Sequence, residues 1–137
     1  MTDLLVEDVC GKFEKIMWHD SKLLGVTIMR NQLTHTDDVT LTLLLRRSKE
    51  TLLAPANLDF RECALINFDV DLDGKRVCAD DIASGQCSRR SEWMETFEKE
   101  HPYDQPLTNF FHFRLQLISP GGNLNFIARD FRLVFKN

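Results

Sequence analysis

The sequence has no CxxC pair, no basic excess, very little tyrosine and no apolar run long enough to span a bilayer. Its four cysteines, Cys10, Cys63, Cys78 and Cys87, stand far apart. They form neither a redox-active motif nor half of a zinc framework, and no Cys–His nucleophilic pair is identifiable by spacing. Seventeen basic against twenty-one acidic residues leave a net charge of −4. That balance argues against a nucleic-acid binder, whose footprint is basic, and suits solubility and a basic partner. No positively charged apolar leader opens the chain, because Asp3, Glu7 and Asp8 stand there. Reduced thiols in the cytoplasm are therefore expected. The longest apolar-rich run, Val39 to Leu45, is interrupted by Thr40 and Thr42 and is too short to cross a membrane. No phosphate loop is present: Gly121-Gly122 follow Pro120 in a hairpin turn, not a strand-to-helix turn. Repeats, linkers and low-complexity segments are absent as well.

What the sequence does contain is a core. Ten Phe against one Tyr and two Trp is interior-type aromatic usage, since Phe has no polar atom to satisfy. A length of 137 residues fits one domain, residues 1–137, that buries its core without staples. The clearest element is a C-terminal hairpin. Phe111, Phe113, Leu115 and Leu117 alternate with His112, Arg114 and Gln116, the period of a half-buried strand. Its return arm carries Leu124, Phe126 and Ala128 on even positions, then Phe131, Leu133 and Phe135 on odd ones. That switch of parity requires an extra residue near Arg129-Asp130, read as a β-bulge.

Upstream, residues 3–17 read as an amphipathic helix with Leu5, Val6, Val9, Cys10, Phe13, Ile16 and Met17 on one face. Strands are expected over 22–30, 39–47 and 60–72. Residues 48–58, with Pro55, read as a long loop, and 75–88 as irregular with at most one helical turn at Asp80-Asp81. Ser91 caps a short helix carrying Trp93, Met94 and Phe97, which Pro102 stops. The fold class expected is α+β: a mainly antiparallel sheet of about five strands, an N-terminal helix on one face, and a short second helix.

Several residues invite a chemical reading. Asp69, Asp71, Asp73, Gly74 and Asp80 follow the spacing of a calcium loop, but a strand leads into it and Asp stands where a bidentate Glu is usual. An acidic strand edge ending in an Asp-Gly turn explains the same residues, so no metal or cofactor is assigned. Asp69 and Asp71 share a strand face about 6–7 Å apart, a carboxylate pair that alternation produces routinely. His19-Asp20 resembles a base and its orienting carboxylate, yet neighbours on an extended chain point opposite ways. Cys78, Cys87, His101 and His112 match no zinc spacing. The second face of the sheet is more informative. It carries Thr27, Met29, Thr40, Thr42, Leu44, Leu65, Asn67, Asp69, Phe110, His112, Arg114, Gln116 and Arg132, a mixture typical of interfaces. Cover from the two loop segments, or a homodimer contact, accounts for such a face equally well.

The stretch Trp18-His19-Asp20-Ser21-Lys22-Leu23-Leu24-Gly25-Val26-Thr27-Ile28 resembles the opening of many small bacterial proteins, mostly uncharacterised. Phe68-Asp69-Val70-Asp71-Leu72-Asp73, Asp81-Ile82 and Ile127-Ala128-Arg129-Asp130-Phe131 are similar to the same group. Some of these families are counted among the immunity proteins of polymorphic-toxin systems. The resemblance implies a cytosolic, non-enzymatic protein that neutralises a toxin by binding it, and it transfers no catalytic residue. On that reading Asp69, Asp71 and Asp73, with Asp80 and Asp81, supply an acidic contact. Phe110 or Trp93 anchors it, and His112, Arg114 and Arg132 complete it. The partner is then another protein, or a second copy of the chain, and neither nucleic acid nor membrane. The alternative is a small enzyme or ligand-binding protein with a helix–sheet pocket that gathers His19, His112 and Arg114.

Overall fold

The computed structural model describes residues 9–33, 36–48, 52–70, 81–104, 106–118 and 122–136. Residues 9–14 are helical and are termed α1. The strands are β1 (Ser21–Asn31), β2 (Thr36–Arg46), β3 (Leu53–Cys63), β4 (Leu65–Val70) and β5 (Asp81–Ser88). Helix α2 (Glu92–Glu100) follows, then β6 (Phe111–Leu117), β7 (Gly122–Ala128) and β8 (Asp130–Phe135). They form one eight-stranded sheet in the order β4-β7-β6-β5-β1-β2-β3-β8. Every neighbouring pair is antiparallel.

The sheet closes on itself. Only Ala64 separates β3 from β4, and only Arg129 separates β7 from β8. Since β8 pairs with β3 and β4 with β7, the two ends of the sheet are bent continuations of strands within it. The corner is held by local chemistry. Glu62 takes a φ of 50°, at a shift of register between β2 and β3, so β3 carries a bulge there. Its N–H donates to Asp38 Oδ1 at 3.0 Å, and its carboxylate meets Arg129 Nε at 2.6 Å. Backbone bonds from Ala64 N to Ile127 O (2.7 Å) and from Arg129 N to Arg61 O (3.2 Å) carry the ladder across the bend. The parity switch at Arg129-Asp130 is this corner.

Period-2 alternation places Leu41, Leu43, Leu45, Leu58, Phe60, Phe113, Leu115 and Phe126 on the inside, each with no exposed surface. Phe60 stacks on Phe126 with ring centroids 4.5 Å apart. The interior is packed with side chains, as in other small closed sheets.

Among the described residues the wall has one breach. β1 and β5 pair only at Ser21↔Ile82 and Lys22↔Asp81. Beside the rest of β5 lie α1 and the turn after it. Glu14 Oε2 accepts from Cys87 N at 3.1 Å, and Cys10 forms a disulfide with Cys87, their Cα atoms 4.9 Å apart. Phe13 reaches through the breach to meet the rings of Phe60, Phe113 and Phe131 at 6.2, 4.9 and 5.2 Å. Trp18 donates its indole N–H to Phe13 O at 2.9 Å and lies directly on Gly85. A methyl group on Gly85 would stand 2.3 Å from Trp18 Nε1, inside the contact distance of any real pair. The indole is walled in, so Gly85→Ala is expected to cost several kcal/mol, on the order of 2–4, by displacing it. Chemical denaturation checks this; a loss under about 0.5 kcal/mol would show that the indole moves freely.

Six expectations are corrected. The sheet has eight strands, not about five, and α1 plugs its wall instead of covering a face. The segment read as a loop forms most of β3, because Pro55 stands just past the last β3–β8 pair, Ala56↔Phe135. Only its carbonyl is engaged there, accepting from Lys136 N at 2.9 Å, so the missing N–H is not needed. The strand expected over 60–72 is broken by the bend at the exposed Ala64, and its residues 71–72 lie outside the described residues. β5 escaped notice because Ala83, Ser84 and Gly85 are small, leaving room for Trp18 instead of alternating large side chains. The thiols are not all reduced: Cys10 and Cys87 are joined, while Cys63 is free and buried. Burial pushes the Cys63 thiol up to about 12, leaving it without nucleophilic character. Of the helix read over 3–17, residues 3–8 lie outside the described residues.

Candidate functional site

The outward side chains of β4, β7, β6 and β5 form rows fixed by the register. Asn67 lies opposite Asn125, Asn125 opposite Arg114, and Arg114 opposite Gln86. The next row is Asp69, Asn123, Gln116 and Ser84, and a third begins at Leu65 and Ile127 and ends at His112 and Ser88. The first two rows are polar throughout and rich in carboxamides, each of which donates and accepts. Arg114 Nε donates to Asn123 Oδ1 at 3.0 Å, and Ser84 Oγ lies 3.4 Å from Gln116 Oε1.

Helix α2 closes one side of this face. Ser91 caps it, its hydroxyl accepting from Met94 N at 3.3 Å, and Met94 packs with Leu107 and Ile127 in a small second cluster. Glu98 joins α2 to its flanks by accepting from Arg90 and from Leu107 N, and the Arg90 bond holds its carboxyl below the usual range. Trp93 stands edge-on to His112 with ring centroids 5.2 Å apart. His112 Nε2 lies 2.8 Å from Asn125 Oδ1. With Asn67 and Asn125, these two rings line a pocket of about 220 Å³, and His112 and Arg114 also line a groove of about 400 Å³ that runs to Glu14 and Ser91.

Burial lowers the pKa of His112 below its ordinary 6.5, against the opposing bond to Asn125. The unfolded chain therefore takes up the proton first, and protonation favours unfolding. The contribution of His112 to stability is complete above about pH 6.5 and is lost as the pH falls toward the folded value. The wild type is expected to lose stability relative to His112→Gln between about pH 7 and pH 5. Urea melts across that range test it; a constant difference would mean an unshifted histidine.

The sequence-derived residues separate into groups. His112, Arg114, Asn67, Gln116 and Asp69 share the one face. Arg132 lies elsewhere, on β8, where its guanidinium is 3.5 Å from Asp59 Oδ2, and Asp59 also accepts from Thr40 Oγ1 at 2.7 Å. Phe110 is half-buried in the second cluster, with the Arg129 guanidinium 5.0 Å above its ring, so it supports α2 and is no free anchor. Asp81 is taken by Lys22 at 2.7 Å. Asp71, Asp73, Asp80 and Cys78 lie outside the described residues. His19 does not join His112 and Arg114. It lines a separate cleft, and its Nδ1 is 3.0 Å from Asp20 Oδ2. Adjacent side chains meet here because Asp20 has a φ of 64°, which takes the chain out of the extended form that would point them apart. Sequence reading missed Asn123, Asn125 and Gln86, which only strand register brings beside Arg114. Among the described residues no group of three or more His, Cys, Asp or Glu is placed to hold a metal. No helix among them is long and apolar enough to cross a membrane.

Comparison of the chain with protein-family models, curated proteins and solved structures returned no match.

Proposed function

We propose that the protein acts by binding another protein, in the manner of the toxin-neutralising proteins its sequence resembles, and that the contact is the outward face of β5, β6, β7 and β4. The observation that supports this most is the row Asn67–Asn125–Arg114–Gln86, hydrogen-bonding side chains in register across four strands. A field of donors and acceptors beside an aromatic edge, Trp93, fits the polar, wet kind of protein interface. Asp69 adds a charge at its margin for a basic partner. The interior is filled with Phe and Leu, so recognition falls to the outer surface. The separation of His19 from His112 and Arg114 removes the constellation on which the enzyme reading depended.

The test is affinity purification from the native host with three tagged forms: wild type, Arg114→Glu/Asn125→Arg, and Arg132→Glu. The wild type and Arg132→Glu are expected to retain one stoichiometric protein that the Arg114/Asn125 variant loses. Retention by all three would place the contact elsewhere. Native mass showing no bound protein for the wild type would end the reading.

A further inference from the structure

We propose that the cleft between Arg46, Trp18 and the start of β5 is a binding site for a carboxylate carried on an apolar body. The cleft, about 350 Å³, is lined by Ile16, Met17, Trp18 and Ala83 on its apolar side and by Glu14, His19, Arg46 and Ser84 on its polar side. That volume is at the small end of ligand pockets. Arg46 is the final residue of β2. Leu44 pairs with Lys22, so two residues on, Arg46 has passed the start of β1 and lies beside the Trp18–Asp20 turn.

Arg46 has a buried Nε that no acceptor among the described residues meets. It differs in this from Arg30, Arg61, Arg90, Arg129 and Arg132, each of which faces a carboxylate. Its neighbours in the cleft are engaged elsewhere. Glu14 accepts from Cys87 N, His19 is turned to Asp20, and Ser84 reaches Gln116. A guanidinium donor removed from water without an acceptor costs free energy, and such groups in folded chains require an explanation. A planar, two-oxygen acid matches the guanidinium fork. The apolar wall selects an acid with a hydrocarbon or aromatic body over a bare inorganic anion. Such an acid is available as a free small molecule or as the C-terminal carboxylate of a peptide ending in an apolar residue.

Two-dimensional NMR of the full chain, following the Trp18 indole and Arg46 Nε–H signals, tests this with three probes. Phenylacetate stands for the free acid, an acetylated Ala-Leu dipeptide for the peptide terminus, and its C-terminal amide for the same body without charge. Saturable shifts at millimolar acid, absent with the amide, are the expected result. The tighter of the two acids identifies the source. Arg46→Gln should weaken binding about tenfold or more, and Arg46→Lys, which keeps the charge but not the fork, by less. Arg46→Met should abolish binding and raise the melting temperature, because it removes a buried donor that the unliganded fold leaves unmet. Signals unmoved in the wild type, or equal affinity in Arg46→Gln, would overturn the assignment. A lowered melting temperature for Arg46→Met would do so too, since the guanidinium would then already have its acceptors.

Discussion

Replacing Cys10 and Cys87 together by Ser is expected to lower the free energy of unfolding by about 4 kcal/mol. The bond links residues 77 positions apart. In the chain-entropy account, closing so long a loop removes roughly 4–5 kcal/mol of freedom from the unfolded state. Release also acts on the native state, because the bond secures α1 where β1 and β5 are not laddered to each other. Urea unfolding in the absence of reductant gives the difference. Dithiothreitol should impose a similar loss on the wild type and none on the double variant. The buried thiol of Cys63, with its pKa pushed up to about 12, takes no part in exchange. Equal stability of wild type and variant would mean that packing alone holds α1.

Phe13→Ala should have a comparable effect, about 3–5 kcal/mol. The Phe13 side chain has no exposed surface and touches four aromatic rings, those of Trp18, Phe60, Phe113 and Phe131. No neighbour can collapse into the space, since Phe60 and Phe113 are set by the strands that carry them. Because Phe13 and Cys10 act through the same docking of α1, the two losses should not add. In a double-mutant cycle the combined variant is expected to lose at least 1 kcal/mol less than the sum, on the order of known couplings between residues in one contact network. Strict additivity would show that the ring and the bond secure different things.

Much of this was open to reading from residue order, and the limit has a physical cause. Alternation along Phe111–Leu117 and Val39–Leu45 located β6 and β2 and correctly divided their inner and outer side chains. The parity switch at Arg129-Asp130 marked the corner, and Ser91 marked the start of α2. Pattern failed where the buried partner of a strand is not another strand. β5 has small residues because an indole from a distant turn rests on it, and that fact is written at Trp18, not in β5. The candidate site was legible only by halves. Period-2 logic put His112, Arg114 and Gln116 on one face, but which residues lie across from them depends on pairing between strands far apart in sequence. Nothing in the order of residues sets Arg46 apart from the other arginines, because its missing acceptor depends on β1 starting too late to cover it.

The corner at Ala64 and Arg129 has a consequence for how the chain comes into being. β1, β2 and β3 are joined by short connections and can pair as soon as they leave the ribosome, in the fast, local manner of a meander. β3 then waits with an open flank, since the strand that covers it, β8, is synthesised only after β7. During that interval its bare N–H and C=O groups are a template for a neighbouring nascent chain. Slowing translation between Cys63 and Asp130 should therefore favour strand-exchanged dimers, and co-translational disulfide formation, which must await Cys87, cannot prevent it. The order of synthesis thus leaves the β3 edge open for as long as β8 is missing.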